Sequence, residues 1–174
     1  MPKFNKKTAF LMALILIAIV IFAGVYIARY LKTKTPPVVQ TPTYTNQEYG
    51  FTMIFPDSWK GYAVINETWA GQDIVDSSGA AVKTYSGPLV VFRNPKWTAE
   101  KHWQDIPIMV FTPDVWQLIT EEKIAVSAAP IGPEKIGQNQ KYIFATPPRW
   151  YGFTDDLGMD EAVGIVKTFR AFEL

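Results

Sequence analysis

The chain has 174 residues, contains no cysteine and carries a formal net charge of +1, from 17 Lys or Arg and 16 Asp or Glu. The absence of cysteine excludes a disulfide framework, a thiolate nucleophile, a cysteine zinc site and a lipoprotein anchor. The charge is divided unevenly: residues 44–174 hold every acidic residue and carry −5, whereas residues 1–43 carry +6. A domain of that charge without a basic cluster is a poor binder of nucleic acid.

Residues 8–28 form a run of 21 residues without a charged side chain. As an α-helix at about 1.5 Å per residue, the run would span roughly 31 Å, close to the hydrocarbon thickness of a bilayer. It is longer than the apolar stretch of a cleavable signal peptide, and Ile21 and Phe22 before Ala23 make a poor cleavage site. The run therefore predicts an uncleaved transmembrane signal anchor over residues 8–31, with the lipid bilayer as its partner.

The segments on either side of the anchor predict its orientation. Residues 1–7 are too short to hold a domain, so we expect a cytoplasmic tail there and the remainder of this single-pass protein of the cytoplasmic membrane outside the cytoplasm. Three basic residues precede the apolar run and three follow it closely, so charge does not decide the direction. Residues 32–43 are rich in proline and threonine and predict an extended linker. A single extracytoplasmic domain over residues 44–174 follows.

The domain opens with residues of strong β-propensity at positions 49–55. One face of the predicted strand carries Tyr49, Phe51, Met53 and Phe55. A Pro-Asp-Ser turn at 56–58 ends the strand, and residues 59–65 are predicted to return as the second arm of a hairpin.

Two further strands are predicted in the middle of the chain. Residues 87–93 form one, and residues 106–112 form another that is apolar after Pro107 and therefore central in its sheet. The intervening stretch at 71–86 is polar and small without a clear period, so it is either an exposed hairpin or a loop.

A helix is predicted to begin at Pro113, with Thr112 as its cap and Asp114 facing the positive end of the helix dipole. Apolar residues at helical spacing continue from there to Lys123. Further along, strands are expected at 124–128 and 141–145, with a turn at 137–140.

The last segment has the pattern of a helix with one buried stripe. The stripe consists of Ala162, Ile165, Val166, Phe169 and Phe172. Strands that pair locally, with helices inserted late, predict an α+β domain with a largely antiparallel sheet. Four tryptophans are expected to pack in the core or at its rim: Trp59, Trp97, Trp103 and Trp116.

Two stretches are similar to one known family. Residues 49–59 (YGFTMIFPDSW) resemble the opening hairpin of PsbP-like domains, and residues 165–172 (IVKTFRAF) are similar to their closing helix. The resemblance implies an antiparallel sheet flanked by helices in an α/β/α sandwich. It also implies a binding or assembly module, often tethered to a bacterial membrane, and not a catalyst.

Residues 147–153 (PPRWYGF) are the strongest candidate for a binding site. Prolines and a glycine predict a loop, and the loop carries aromatic and arginine residues, which are enriched at binding hot spots. The candidate binding residues are Arg149, Trp150, Tyr151 and Phe153. The alternative is that these rings fold back over the sheet edge and pack there.

Catalytic and metal-binding patterns are weak. His102 is the only histidine and has no metal-binding spacing or nucleophile elbow beside it, so we expect it in a surface loop. Asp155, Asp156 and Asp160 are weak calcium candidates, because their cluster lacks EF-hand spacing and precedes a helix that favours acids at its start. We predict no catalytic residue and no cofactor.

The sequence therefore predicts a membrane-anchored extracytoplasmic binding or assembly module without catalytic activity. A second interpretation is an accessory subunit of a membrane protein complex. A third is a hydrolase of envelope polymers, which would need two carboxylates about 5–10 Å apart in one cleft.

Overall fold

The computed structural model describes residues 20–24, 26, 42–74, 82–127, 131–150 and 157–174. The chain divides into two compact units, Met1–Gln40 and Thr41–Leu174. In the first unit the described residues are helical. Outside the described residues lie the tail at 1–7, the rest of the predicted anchor at 8–31 and the linker up to residue 41. Within the described part of the chain, no helix is both long enough and apolar enough to cross a membrane.

The second unit is a mixed α+β domain with antiparallel sheets, which confirms the α+β class and the antiparallel pairing that the sequence predicts. Its strands are β1 (Thr43–Asn46), β2 (Phe51–Ile54), β3 (Ala63–Asp73), β4 (Thr84–Arg93), β5 (Ile106–Phe111), β6 (Ile124–Ala125), β7 (Glu134–Gln138), β8 (Ile143–Thr146) and β9 (Arg170–Ala171). Its helices are α1 (Pro113–Thr120) and α2 (Met159–Val166), and a 3-10 turn covers Asp57–Trp59. The small sheet has the order β1-β2-β9, and the large sheet has the order β6-β3-β4-β5-β8-β7.

The main hydrophobic core lies between the large sheet on one side and the small sheet with α2 on the other. Phe51, Met53 and Phe55 are fully buried in it, which confirms that alternate residues of the first predicted strand share an inward face. Phe51 stacks on Phe169 with ring centroids 5.2 Å apart, so the two ends of the domain meet in this core.

A second hydrophobic cluster covers the opposite face of the large sheet. Met109 and Phe111 of β5 point to that face because alternate residues of a strand point to opposite sides. Val115, Trp116 and Ile119 of α1 pack against this cluster. The large sheet therefore has α1 on one face and α2 on the other.

The predicted hairpin of residues 49–55 and 59–65 is wrong. β2 pairs with β1 on one edge and with β9 on the other, which leaves it no edge for a returning strand. Trp59 ends the 3-10 turn with its ring buried in the core, and β3 begins at Ala63 in the large sheet, beside β4.

The C-terminal helix is shorter than predicted. α2 ends at Val166, so Phe169 and Phe172 do not lie on it. The Thr168 hydroxyl donates to the Ile165 carbonyl at 2.6 Å and accepts the Ile54 N–H at 2.9 Å, which ties the turn after α2 to β2. Phe169 is buried all the same, because the turn after α2 directs its ring into the core.

The other predicted elements are largely confirmed. β5 lies inside the large sheet between β4 and β8, as predicted for residues 106–112. The stretch at 71–86 supplies the arms of the β3–β4 hairpin, and residues 75–81 lie outside the described residues. α1 begins after Thr112, whose side chain makes no capping hydrogen bond.

Three strands have no counterpart among the predicted elements: β1, β7 and β9. β7 contains charged residues and Gly137, which lies within the stretch predicted as a turn. The turn predicted at 137–140 is present but begins at Asn139, whose Oδ1 accepts the N–H groups of Lys141 and Tyr142 at 3.0 and 2.8 Å. β6 and β8 lie within or near the strands predicted at 124–128 and 141–145 but are shorter or displaced.

Candidate functional site

The predicted binding loop follows β8, and the structure describes its first half. Arg149 is exposed and has a φ of +52°, a value that residues other than glycine seldom adopt. Trp150 is half-buried against the main core, and its carbonyl accepts a hydrogen bond of 2.9 Å from Gln104 Nε2. Tyr151 and Phe153 lie outside the described residues. Trp150 is thus held in place by both its ring and its backbone.

Trp150 contributes to the wall of a cavity of about 310 Å³. The other apolar contributions come from Ile136 of β7, Val163 and Val166 of α2, and Phe169. This volume lies at the small end of the range for small-molecule sites, and apolar walls with a few polar groups are typical of such sites.

Charged side chains surround the cavity. Lys167, Arg170 and Glu134 all line it, so the described residues of the lining carry a net positive charge. Arg170 Nη1 donates to the carbonyls of Lys167 and Phe169 at 3.2 and 2.6 Å, which holds the guanidinium at the end of α2. Within the described structure, neither cation forms an ion pair.

Thr146, the last residue of β8, also lines the cavity and is only 1% exposed. Among the described residues, its hydroxyl has no hydrogen-bond partner. A buried hydroxyl without a partner costs free energy, so a bound group that forms this hydrogen bond would be favoured. The arrangement suits a ligand with an apolar body and a polar or anionic end.

A second group of aromatic and basic residues lies in the connection between β4 and β5. The Arg93 guanidinium lies 4.1 Å from the centre of the Trp97 ring, and the His102 ring stacks on Trp97 at 5.2 Å, nearly parallel. Lys96 Nζ lies 4.4 Å from the centre of the Trp103 ring. His102 is exposed in this connection, and its Nε2 lies 2.9 Å from the Ala99 carbonyl.

Asp105 fixes the base of this connection. Its carboxylate accepts Arg93 Nε at 2.9 Å and the Asn94 N–H at 2.7 Å. Burial raises the pKa of Asp105, and the two hydrogen bonds with the nearby Arg93 charge oppose that shift without cancelling it. Because both of its carboxylate oxygens already accept hydrogen bonds from within the chain, Asp105 has a structural role.

Gln104 joins this connection to the predicted binding loop. Its backbone N–H donates to the Leu157 carbonyl at 2.9 Å, and its side chain donates to the Trp150 carbonyl. Gly158, with a φ of +78°, lies so close to the Trp103 ring that a Cβ would be 3.0 Å from it. The sequence contains no local signal for Gln104, because its partners lie about fifty residues away.

The weak calcium site receives no support from the described residues. Asp155 and Asp156 lie outside them, and Asp160 is exposed in the first turn of α2. The neighbouring Glu161 instead accepts hydrogen bonds from the Ser58 hydroxyl and from Trp59 Nε1, the latter at 3.1 Å. Within the described part of the chain, no three His, Cys, Asp or Glu side chains are grouped closely enough to hold a metal ion.

Comparisons of the chain with protein-family models, with curated proteins and with solved structures give no match.

Proposed function

We propose that this chain is a membrane-anchored, extracytoplasmic binding module that holds its ligand in the cavity beside Trp150. The observation that carries the proposal is the position of Trp150. A residue of the type most enriched at binding hot spots contributes to the wall of a mainly apolar cavity, beside two cations that form no ion pair among the described residues. The uncharged run at 8–28 supports the anchor part of the proposal.

The proposal includes membership of the PsbP-like fold. Support comes from the layers of the domain, since helices lie on both faces of an antiparallel sheet, as the resemblance implies. Buried residues of both matching stretches also support it, because Phe51 and Met53 of β2, Ile165 of α2, and Phe169 after α2 lie in the main core. The resemblance implies a module that binds without catalysis, and the proposed function follows that implication.

The cavity favours binding over hydrolysis. Glu134 is the one carboxylate among the described residues that line it. Hydrolysis of a glycosidic bond by the common mechanism needs two carboxyl groups on either side of that bond. Lys167, Arg170 and the Thr146 hydroxyl are instead groups that orient a bound molecule.

The test compares Trp150→Ala with Trp116→Ala in the full-length chain. Trp116 is a matched control because it is also half-buried but lies on α1, on the opposite face of the large sheet. Each variant is purified from gently solubilised membranes, and the proteins and small molecules that accompany it are quantified by mass spectrometry. We expect Trp150→Ala to weaken binding of a specific companion by about thirtyfold, the effect of losing a hot-spot side chain.

Melting temperatures of both variants separate loss of binding from loss of folding. A companion retained by wild type and Trp116→Ala but lost by a folded Trp150→Ala supports the proposal. If the folded Trp150→Ala retains every companion of the wild type, the cavity is not the binding site and the proposal is wrong.

A further inference from the structure

β3 is the longest described strand, and one of its edges is largely without a neighbouring strand among the described residues. β4 pairs with it from Ala63 to Gln72. On the other edge, β6 pairs only with Gln72 and Asp73. Ala125 and Val126 also lie against Gly71. Among the described residues, positions 63–70 have no adjacent strand on that side, and we call this stretch the free edge of β3.

The hydrogen bonds at the end of β3 show which backbone groups face the free edge. The Asp73 N–H donates to the Lys83 carbonyl, next to β4, whereas the Ile74 N–H donates to the Lys123 carbonyl, next to β6. Because alternate residues of an antiparallel strand bond to opposite sides, odd-numbered residues of β3 bond to β4 and even-numbered residues face outward. The outward-facing residues are Val64, Asn66, Thr68 and Ala70.

The free edge of β3 is exposed and lacks the usual protection of an edge strand. All four outward-facing residues are solvent-exposed and uncharged. Proteins normally protect such edges with charges, prolines, bulges or very short strands. The opposite edge of the large sheet follows this rule, because β7 is five residues long, carries Glu134 and Lys135, and contains a bulge. Residues 63–70 contain no proline and pair with β4 in continuous register.

Glu67 is the single charged residue on the free edge, and it is exposed. Since its N–H and C=O bond to β4, a residue opposite it on an added strand would form a non-hydrogen-bonded pair, in which side chains approach most closely. A cation is favoured at that position and an anion is disfavoured. A second copy paired antiparallel through all four outward-facing residues would place Glu67 opposite itself, which disfavours self-pairing.

We propose that the free edge of β3 is a docking site for an extended segment of a partner protein, which adds as a strand and carries a Lys or Arg opposite Glu67. The partner's backbone would bond to the outward-facing N–H and C=O groups, as in other complexes formed by strand addition. The ion pair with Glu67 sets the register. This surface is separate from the cavity beside Trp150.

The probe is a nine-residue peptide of alternating threonine and valine with one central lysine, and its twin has glutamate at the centre. Residue-resolved hydrogen exchange is measured on the full-length chain in mild detergent. At a lysine peptide concentration of ten times its Kd, we expect exchange of the Val64, Asn66, Thr68 and Ala70 amides to slow about tenfold. The glutamate peptide should bind about fivefold more weakly, the size of an opposed charge pair on a sheet.

Two pairs of variants test the proposal on the protein side. Thr68→Pro removes an outward-facing N–H without removing a bond to β4, and proline is tolerated at such edge positions. We expect it to abolish peptide binding, whereas Thr68→Ala, which keeps the N–H, retains binding. Glu67→Lys should reverse the preference, so that the glutamate peptide binds more tightly than the lysine peptide.

Three results would overturn the proposal. One is equal peptide binding by Thr68→Pro and Thr68→Ala. Another is an unchanged peptide preference in Glu67→Lys, which leaves the backbone ladder intact. The third is protection of the outward-facing amides without peptide, together with a doubled mass of the protein, since the occupant would then be a second copy.

Discussion

At the residue scale, Asp105 shows how burial and pairing compete at one side chain. The pKa of its carboxyl lies above the ordinary value of 3.8, because burial outweighs the hydrogen bonds from Asn94 and Arg93. A folded-state pKa above the unfolded value means that the folded protein binds more protons in the pH window between the two values. The contribution of Asp105 to stability therefore falls as pH rises through that window.

We expect the free energy of unfolding of the wild type, relative to that of Asp105→Asn, to decrease as pH rises from about 3 to about 7. The amide oxygen of the variant can still accept the Asn94 N–H. The substitution removes the titrating carboxyl group and its ion pair with Arg93. Urea unfolding of both proteins across this range measures the difference. If the ion pair with Arg93 outweighed burial, the difference would instead increase with pH.

At the scale of elements, the sequence predicts the type of most segments better than their ends. The apolar stripe from Ala162 to Phe172 has helical spacing throughout, yet α2 ends at Val166. Periodicity identifies residues that become buried, and Phe169 is buried whether it lies on a helix or after a turn. The hydrogen bonds of Thr168 to Ile54 end the helical path, and a contact between the two ends of the domain leaves no local pattern.

The Gly-Pro pair in β4 makes room for a side chain that crosses from β3 to β5. The Trp69 ring lies across Gly87, and its Nε1 donates to the Val110 carbonyl at 2.9 Å. Extension of the β4–β5 register places Pro88 opposite Val110, and proline has no N–H to offer that carbonyl. The indole supplies the donor that the strand lacks, so these residues form one packing unit.

We expect Gly87→Ala to lower the free energy of unfolding by about 1–3 kcal/mol, the usual cost of overpacking a core. The new Cβ would lie 2.6 Å from Trp69 Cζ2, and the ring has no freedom to move without losing its hydrogen bond. Gly164→Ala is the matched control, because the residue is in α2 and, among the described residues, no atom outside the adjacent helix backbone lies within 4 Å of its added Cβ. That control should raise stability by about 0.5–1 kcal/mol. Urea unfolding measures both, and a Gly87→Ala variant as stable as the wild type would contradict this account.

At the scale of the whole molecule, the predictable and unpredictable features differ in the range of their contacts. Local composition predicts the α+β class, the central position of β5 and the choice of Trp150 as a candidate. Trp150 lines the cavity in the structure. Gln104 and Thr146 could not be chosen from the sequence, because their roles depend on which strands and loops become neighbours. The free edge of β3 is of the same kind, since it depends on strand order.

The last prediction concerns the orientation of the chain in the membrane, for which the proposed signal anchor implies an external domain. The linker supplies trypsin sites at Lys32 and Lys34, between the apolar run and the compact unit Thr41–Leu174. We expect trypsin added to intact spheroplasts to release the domain, because a signal anchor of the proposed orientation leaves the domain that follows it outside the cytoplasm. Immunoblotting of the membrane and soluble fractions measures the release, and a cytoplasmic marker protein that stays intact is the control. Release of the domain only after lysis would place it on the cytoplasmic side, and would contradict this orientation without affecting the cavity or the free edge of β3.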